Sequence, residues 1–217
     1  MKTILLLRHG KSDWDADYDG DHERPLAVRG QKGARKMGRF VTTARLVPDR
    51  AITSSAVRAR ETLATAAEAG GWTGPARVTP ALYEAGAEGV LAEIQAEPDD
   101  ADTVVVVGHE PTWSRLVSLL IGGGRVEMKT AAVAQVDVEV DRWAAVTAGR
   151  GTLALLLPPG ALRPNAYRKL KKTIDKAIEA QQKAAEQAEK AAAPKGPPPT
   201  APLPRGGIDA PSGPQEG

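Results

Sequence analysis

Short apolar runs alternate with longer segments of helical periodicity through the first 120 residues of the chain. The runs Ile4–Leu7 and Val104–Val107 contain no polar residue, which predicts strands buried on both faces of a sheet. Apolar residues at helical spacing predict a helix from about Gly30 to Leu46. Further strands are predicted at 51–53 and 77–79, and further helices at 55–67, 88–95 and 111–121. This alternation predicts an α/β fold, a three-layer sandwich with a mostly parallel central sheet flanked by helices.

Three β-like runs follow this region, at 132–138, 143–147 and 152–157. The last two are separated by Ala148-Gly149-Arg150-Gly151, a turn sequence that predicts a hairpin between them. Pro158-Pro159 then marks the end of the regular pattern. The sequence therefore predicts one globular domain over residues 1–161.

The composition changes beyond this domain. Residues 162–190 are rich in Ala, Lys, Gln and Glu, and Leu170, Ile174 and Ile178 form a thin apolar stripe. This segment carries eight Lys and Arg against four Asp and Glu, a net charge of +4, and predicts a basic amphipathic helix at the C-terminal side of the domain. Residues 191–217 include 8 Pro among 27 residues, so we expect a Pro/Gly-rich disordered tail.

Composition and charge narrow the classes of protein. The chain has 217 residues with 41% hydrophobic content and no cysteine, which excludes disulfides, thiolate metal sites and a cysteine nucleophile. The net charge of +2 is too small to predict a nucleic-acid partner. The first residues do not form a signal peptide, and no apolar run is long enough to span a membrane. We expect a soluble, cytoplasmic protein with no membrane partner; its oligomeric state is open.

Two histidines occupy the same position relative to predicted strands. Arg8-His9-Gly10 follows the first apolar run, and Gly108-His109 follows the run of four valines. The carboxyl ends of parallel strands form the usual ligand-binding edge of an α/β sheet. Imidazole is a nucleophile near neutral pH, and guanidinium groups match phosphate oxygens in geometry and charge. The pair of histidines with nearby arginines therefore indicates phosphate chemistry.

The sequence resembles the histidine phosphatase superfamily, the phosphoglycerate-mutase-like proteins with an Arg-His-Gly motif. The resemblance covers roughly residues 1–157 and rests on four segments in order. They are Leu7-Arg8-His9-Gly10-Lys11-Ser12-Asp13-Trp14, Arg24-Pro25-Leu26 with Arg29-Gly30, Ser54-Ser55-Ala56-Val57-Arg58-Ala59-Arg60-Glu61-Thr62, and Val107-Gly108-His109-Glu110-Pro111. The compact size is similar to that of the small SixA-type phosphohistidine phosphatases. Only 25 positions separate Glu84 from His109, which leaves no room for the long insertion of the mutase branch.

The resemblance implies roles for particular residues. His9 would attack phosphorus and carry a phosphohistidine intermediate, while Arg8 and Arg58 would bind the phosphoryl oxygens. His109 would donate a hydrogen bond to a phosphoryl oxygen. Ser12 would support the loop or contribute to substrate binding. His22, in an Asp-rich loop, is expected at the surface.

The general acid is less clear from the sequence. Glu84 occupies roughly the position from which family members supply a carboxylate, and Glu88 is a rival. Phosphohistidine can lose its imidazole without such an acid, whereas hydrolysis of an alkyl phosphate depends much more strongly on a general acid. The leading prediction is a phosphohydrolase acting on phosphohistidine in a protein. The alternatives are a phosphatase of small phosphoesters with Glu84 as acid, and a non-catalytic phosphate-binding module. The proposed chemistry requires no metal and no cofactor.

Overall fold

A computed structural model describes residues 1–163 and ten further single positions, all helical and exposed: 168, 172, 173, 175, 176, 179, 180, 183, 184 and 187. The predicted disordered tail at 191–217 lies outside the described residues, as does most of the predicted helix at 162–190. The chain divides into Met1–Lys176 and Ala177–Gly217, and the sheet belongs to the first unit. Within the described part, no helix has the length and apolar character to cross a membrane.

The sheet has six strands in the order β3-β2-β4-β1-β5-β6. Strands β1 to β4 are parallel to one another, and β5 and β6 are antiparallel to their neighbours. The strands are β1 Lys2–Arg8, β2 Arg50–Ser54, β3 Ala76–Thr79, β4 Thr103–Gly108, β5 Val133–Val138 and β6 Gly151–Leu157. The mostly parallel α/β sheet predicted from the sequence is confirmed.

Helices cover both faces of this sheet. They are α1 Val28–Thr43, α2 Val57–Gly70, α3 Ala87–Gln95 and α4 Thr112–Leu120, with short 3₁₀ turns at Asp21–Glu23, Pro80–Leu82 and Trp143–Ala145. Successive side chains of a strand point to opposite faces. Ile4 and Leu6 accordingly pack in the core under α3 and α4, whereas Leu5 and Leu7 pack in the core under α1 and α2. Burial on both faces explains why β1 is a continuous apolar run.

The strand predicted at 143–147 is wrong. Trp143–Ala145 is a 3₁₀ turn, and the indole of Trp143 is fully buried. Its backbone N–H donates to Asp99 Oδ1 at 2.8 Å, and its Nε1–H donates to the carbonyl of Ala101 at 2.8 Å. These bonds place Trp143 against the loop before β4 instead of in the sheet. The hairpin therefore joins β5 directly to β6, and 143–147 lies in the connection between them.

Candidate active site

The two strand-end histidines lie next to each other. Strands β1 and β4 are paired so that Arg8 is opposite Gly108, and the backbone N–H of His9 donates to the carbonyl of Gly108 at 2.9 Å. This register continues one residue past each strand. The imidazole centroids of His9 and His109 are consequently 5.1 Å apart, at an interplanar angle of 52°.

The loop after β1 orients the His9 ring. Nδ1 of His9 lies 2.7 Å from the carbonyl oxygen of Gly10. A carbonyl only accepts, so Nδ1 carries the proton and Nε2 keeps its lone pair. A Cβ on Gly10 would lie only 2.8 Å from the carbonyl oxygen of Gly30, so the close approach to α1 requires glycine. The N–H of Gly10 donates to Thr62 Oγ1 at 3.0 Å, which also ties the loop to α2.

Both imidazoles are held in the neutral form. Burial, followed by the neighbouring His109, lowers the pKa of His9 to about 3. Burial, followed by the charge of Arg58, lowers the pKa of His109 to about 4. A protonated imidazole has no lone pair for attack on phosphorus. The low pKa of His9 therefore keeps Nε2 available as a nucleophile at neutral pH.

A hydrogen bond to Ser54 sets the tautomer of His109. Ser54 Oγ lies 2.9 Å from His109 Nε2 and accepts from the backbone N–H of Ala56 at 3.3 Å. Among residues 1–163, His109 Nε2 is the acceptor available to the Ser54 hydroxyl proton. With Nε2 accepting, the ring proton resides on Nδ1, which is buried and has no hydrogen-bond partner within the described part of the chain. His109 thus retains an unused donor.

Arg58 and Arg24 converge on one carboxylate. Arg58 Nη2 donates to Asp21 Oδ2 at 2.9 Å, and its Nη1 donates to the Asp21 backbone carbonyl at 2.6 Å. Arg24 donates to Asp21 Oδ1 and, at 2.5 Å, to Ser12 Oγ. Partial burial would raise the pKa of Asp21, but the hydrogen bond from Arg24 and the charge of Arg58 hold that pKa below its ordinary value. Asp21 therefore stays ionised and restrains both guanidinium groups.

Arg8 is positioned from the other side of the site. Its Nη1 donates to the carbonyl of Met128 at 2.7 Å. Burial lowers the pKa of Arg8 from its ordinary value, and the charge of Glu110 opposes that shift. An arginine retains its charge despite such a shift because its ordinary pKa is so high. Arg8 remains a cation beside His9.

These side chains surround one cavity of about 290 Å³. It is lined by Arg8, His9, Lys11, Ser12, Trp14, Arg24, Arg58, His109, Glu110 and Thr130. Among the described residues, five buried side-chain polar atoms lack a hydrogen-bond partner: the Nε atoms of Arg8, Arg24 and Arg58, Nδ1 of His109, and Nε1 of Trp113. The first four belong to residues that line this cavity. These four atoms are closed to solvent, so the property that suits an anionic ligand with several acceptor oxygens is the charge of the three guanidinium groups at the cavity.

The structure does not bring every predicted residue to the cavity. His9, Arg8, Arg58, His109 and Ser12 all line it. Glu84 does not line it, and its side chain is exposed. The adjacent Tyr83 turns toward the site instead, and its ring packs edge-on against His109 at a centroid distance of 5.6 Å. Glu88 is also exposed and outside the cavity lining.

Sequence reasoning missed several neighbours of the site. No role was assigned from the sequence to Asp21, which lies in the Asp-rich loop three residues before Arg24. Tyr83 hydroxyl donates to Asp21 Oδ2 at 3.0 Å, so the aromatic ring joins the same network. His22, expected at the surface, has a side chain 38% exposed that packs edge-on against Tyr83 with centroids 4.9 Å apart. The i, i+3 spacing of Asp21 and Arg24 is a local signal, whereas the contacts of Tyr83 with Asp21 and His22 join distant residues and cannot be read from spacing.

No cluster of three or more histidines and acidic residues suitable for holding a metal ion exists among the described residues. The cavity instead presents mainly cationic and N–H donor groups, which suit an anion.

Comparison with known proteins agrees with this geometry. The model of the histidine phosphatase superfamily (branch 1) matches residues 4–89. Uncharacterized protein ML1117 of Mycobacterium leprae is 37% identical over 121 residues, which cover 54% of this chain and 73% of that protein. The chain belongs to the histidine phosphatase superfamily, and the resemblance seen in the sequence is confirmed.

Within this superfamily, the small phosphohistidine phosphatases are similar over most of their length. Phosphohistidine phosphatase SixA of Escherichia coli is 28% identical over 163 residues, or 74% of this chain and 96% of that protein. A solved structure of the protein histidine phosphatase SixA with tungstate has a TM-score of 0.65 at 27% identity, covering 74% of this chain and 99% of that one. Fold, site and relatives together identify the chain as a phosphatase.

Proposed function

We propose that this phosphatase removes the phosphoryl group from phosphohistidine in a protein, through an intermediate phosphorylated on His9. The main support for the proposal is that the guanidinium groups of Arg8, Arg24 and Arg58 belong to residues lining one cavity with the neighbouring rings of His9 and His109. A phosphoryl group has three oxygens, and each can accept more than one hydrogen bond. Seated in the cavity, it would lie among cations whose charge and geometry match those oxygens.

The first chemical step is transfer of the phosphoryl group to His9. Nε2 of neutral His9 attacks phosphorus while the bond from phosphorus to the substrate imidazole breaks. Arg8 and Arg58 stabilise the charge on the equatorial oxygens, and His109 donates its Nδ1–H to one of them. Because Nδ1 of His9 remains protonated toward Gly10, the phosphorylated ring carries a positive charge. That charge weakens the new nitrogen–phosphorus bond.

The second step returns the enzyme to its starting state. A water molecule attacks phosphorus, the bond to Nε2 breaks, and the electron pair of that bond returns to the ring as the lone pair of neutral His9. The water leaves one proton to solvent and its oxygen stays with the released phosphate. Neutral imidazole is favoured as the product because burial lowers the pKa of His9 to about 3.

Phosphohistidine suits this site better than an alkyl phosphate. A protonated phosphoimidazole departs as neutral imidazole and needs no proton from the enzyme, whereas an alkoxide leaving group gains about 10²–10⁴-fold from a general acid. Glu84, the carboxylate suggested for that role, is exposed and outside the cavity lining. The printed name of the E. coli relative, phosphohistidine phosphatase, supports the same substrate class.

The test is phosphate release from a phosphohistidine-bearing protein by the wild type, His9→Ala and Arg58→Ala. Arg60→Ala is the matched control, because Arg60 is two residues from Arg58 on α2 but is exposed. We expect release by the wild type and the control, none by His9→Ala, and a loss of about 10²-fold or more in Arg58→Ala. Hydrolysis of small phosphoesters alone would favour the phosphoesterase alternative. Phosphate binding without hydrolysis of either substrate would favour a binding module.

A further inference from the structure

A second cavity, of about 660 Å³, adjoins the catalytic cavity and has a strongly basic lining. We call it the basic groove; its cationic residues are Arg8, Lys11, Arg29, Lys32, Lys36 and Lys129. Three of them, Arg29, Lys32 and Lys36, lie at helical spacing on α1 and so share one face of that helix. Seven residues of helix rise by about 10 Å, so the positive charge extends along the groove.

Of the six cations of the groove, Lys129 alone forms an ion pair within residues 1–163. Lys129 is paired with Glu127, and Lys36 Nζ donates to the carbonyl of Pro159 at 2.8 Å. Lys11, Arg29 and Lys32 are exposed and form no ion pair within residues 1–163. Like charges gathered on one surface repel one another, so this arrangement is least favourable when the groove is empty. An anionic ligand would relieve that repulsion.

The basic groove is continuous with the site of phosphoryl transfer. Arg8, Lys11 and Thr130 line both the groove and the catalytic cavity. A molecule whose phosphoryl group reaches His9 therefore has the groove directly beside it. The remaining lining of the groove comes from glycine, alanine, proline and threonine residues of α1, the loop before β5 and the segment after β6.

The chemistry of the lining distinguishes among anionic ligands. The groove has no aromatic side chain among its described lining residues, so a nucleotide base has no ring on which to stack. Four of its six cations are lysines, which act as flexible point charges and not as rigid bidentate forks. A single small phosphate would be better held by converging buried donors, as in the catalytic cavity. Exposed, dispersed lysines suit several carboxylates along an extended chain.

We propose that the basic groove binds an acidic peptide segment of the phosphoprotein substrate, next to the phosphohistidine. This inference rests on the proposed function and names the feature by which the enzyme recognises its substrate. Trp14 lines the catalytic cavity but not the groove, and the chain continues from Trp14 into a loop with exposed Asp15, Asp17 and Asp19. The negative charge of that loop repels an acidic segment, which favours the groove as the place where such a segment binds.

Peptide binding tests the groove without requiring catalysis. Fluorescence anisotropy measures the affinity for a labelled Glu-rich peptide and for a labelled peptide of the same length with Gln in place of Glu. The variant is Arg29→Gln/Lys32→Gln. The matched control is Arg35→Gln/Arg60→Gln, which removes the same charge from exposed positions outside the groove. We expect the wild type and the control to prefer the Glu-rich peptide, and the groove variant to lose about tenfold in affinity and part of the salt dependence.

A kinetic arm then links the groove to turnover. With phosphohistidine peptides flanked by Glu or by Gln, we expect the wild type to show about tenfold higher kcat/KM on the Glu-flanked peptide, mainly through KM, and the groove variant to lose this preference. Equal binding of the two labelled peptides, or equal losses in variant and control, would overturn the groove assignment. Normal preference in binding with no hydrolysis of either phosphohistidine peptide would contradict the proposed function and leave the groove as an acidic-peptide site.

Discussion

Lowering the pH from 8 to 5 should destabilise this fold through its two buried histidines. Each imidazole has a lower pKa in the folded state than in the unfolded chain. Its contribution to stability is fully present at a pH above the unfolded-state pKa and declines as the pH falls toward the folded-state pKa. For His9 these limits are 6.5 and about 3, and for His109 they are 6.5 and about 4. At pH 5 these two imidazoles are therefore protonated in the unfolded chain and neutral in the folded chain.

The size of the effect follows from the same values. At pH 5 an ordinary histidine is about 97% protonated, whereas a histidine with a pKa of about 3 stays about 99% neutral. Linkage then gives a loss of about 2 kcal/mol for His9 between pH 8 and pH 5, and about 2 kcal/mol more for His109. His9→Gln should remove about half of this combined loss.

The assay is urea unfolding of the wild type and His9→Gln at several pH values between 5 and 8. The free energy of unfolding in water is obtained at each pH by linear extrapolation. Contributions from the other titrating groups occur in both proteins and cancel in the difference. The free energy of unfolding should therefore fall by about 2 kcal/mol more in the wild type than in His9→Gln between pH 8 and pH 5. Parallel curves would show that His9 titrates alike in both states and would refute its assignment as a buried neutral nucleophile.

Three other substitutions test separate parts of the structure. Asp21→Asn removes the carboxylate that pairs with Arg58, the guanidinium proposed to bind the phosphoryl group. We expect KM and the inhibition constant of inorganic phosphate to fall about twofold to fivefold. We also expect kcat to fall because Arg58 is less restrained; unchanged steady-state constants would contradict this role. In Gly108→Ala the new Cβ would lie 2.1 Å from the buried indole of Trp113, and we expect a loss of about 1–3 kcal/mol in urea unfolding. Gly160→Ala, with no atom within 4 Å of its Cβ, is the control and should lie within about 0.5 kcal/mol of the wild type. Glu84→Gln should leave phosphohistidine hydrolysis within about twofold, whereas a drop of about 10²-fold on an alkyl phosphate would restore Glu84 as a general acid.

The parts of the site that follow strand ends could be predicted from the sequence. His9 and His109 each come directly after an unbroken apolar run, and parallel strands place their carboxyl ends at one edge of the sheet. Residues two apart on a helix face different directions, so only one of Arg58 and Arg60 could face the site, and the family resemblance selected Arg58. The structure buries Arg58 and leaves Arg60 exposed.

The rest depends on contacts between distant segments. The Arg58–Asp21 pair joins residues 37 positions apart, and the Tyr83–Asp21 hydrogen bond joins residues 62 positions apart. Nothing in the local spacing signals either contact. The error at 143–147 has a similar origin, because Trp143 is β-prone in isolation but is held by Asp99 and Ala101. In both cases hydrogen bonds between distant segments determine the local structure, and the local sequence pattern does not.

The most direct test of the central claim is detection of the phosphoryl group on His9 during turnover. The enzyme is mixed with a phosphohistidine protein, quenched within milliseconds at alkaline pH, and analysed by intact mass and peptide mapping, with His9→Ala as the blank. The proposed mechanism predicts a phosphoryl adduct on His9 that forms and decays with phosphate release. Phosphate release at the wild-type rate with no adduct, or an adduct on another residue, would contradict it.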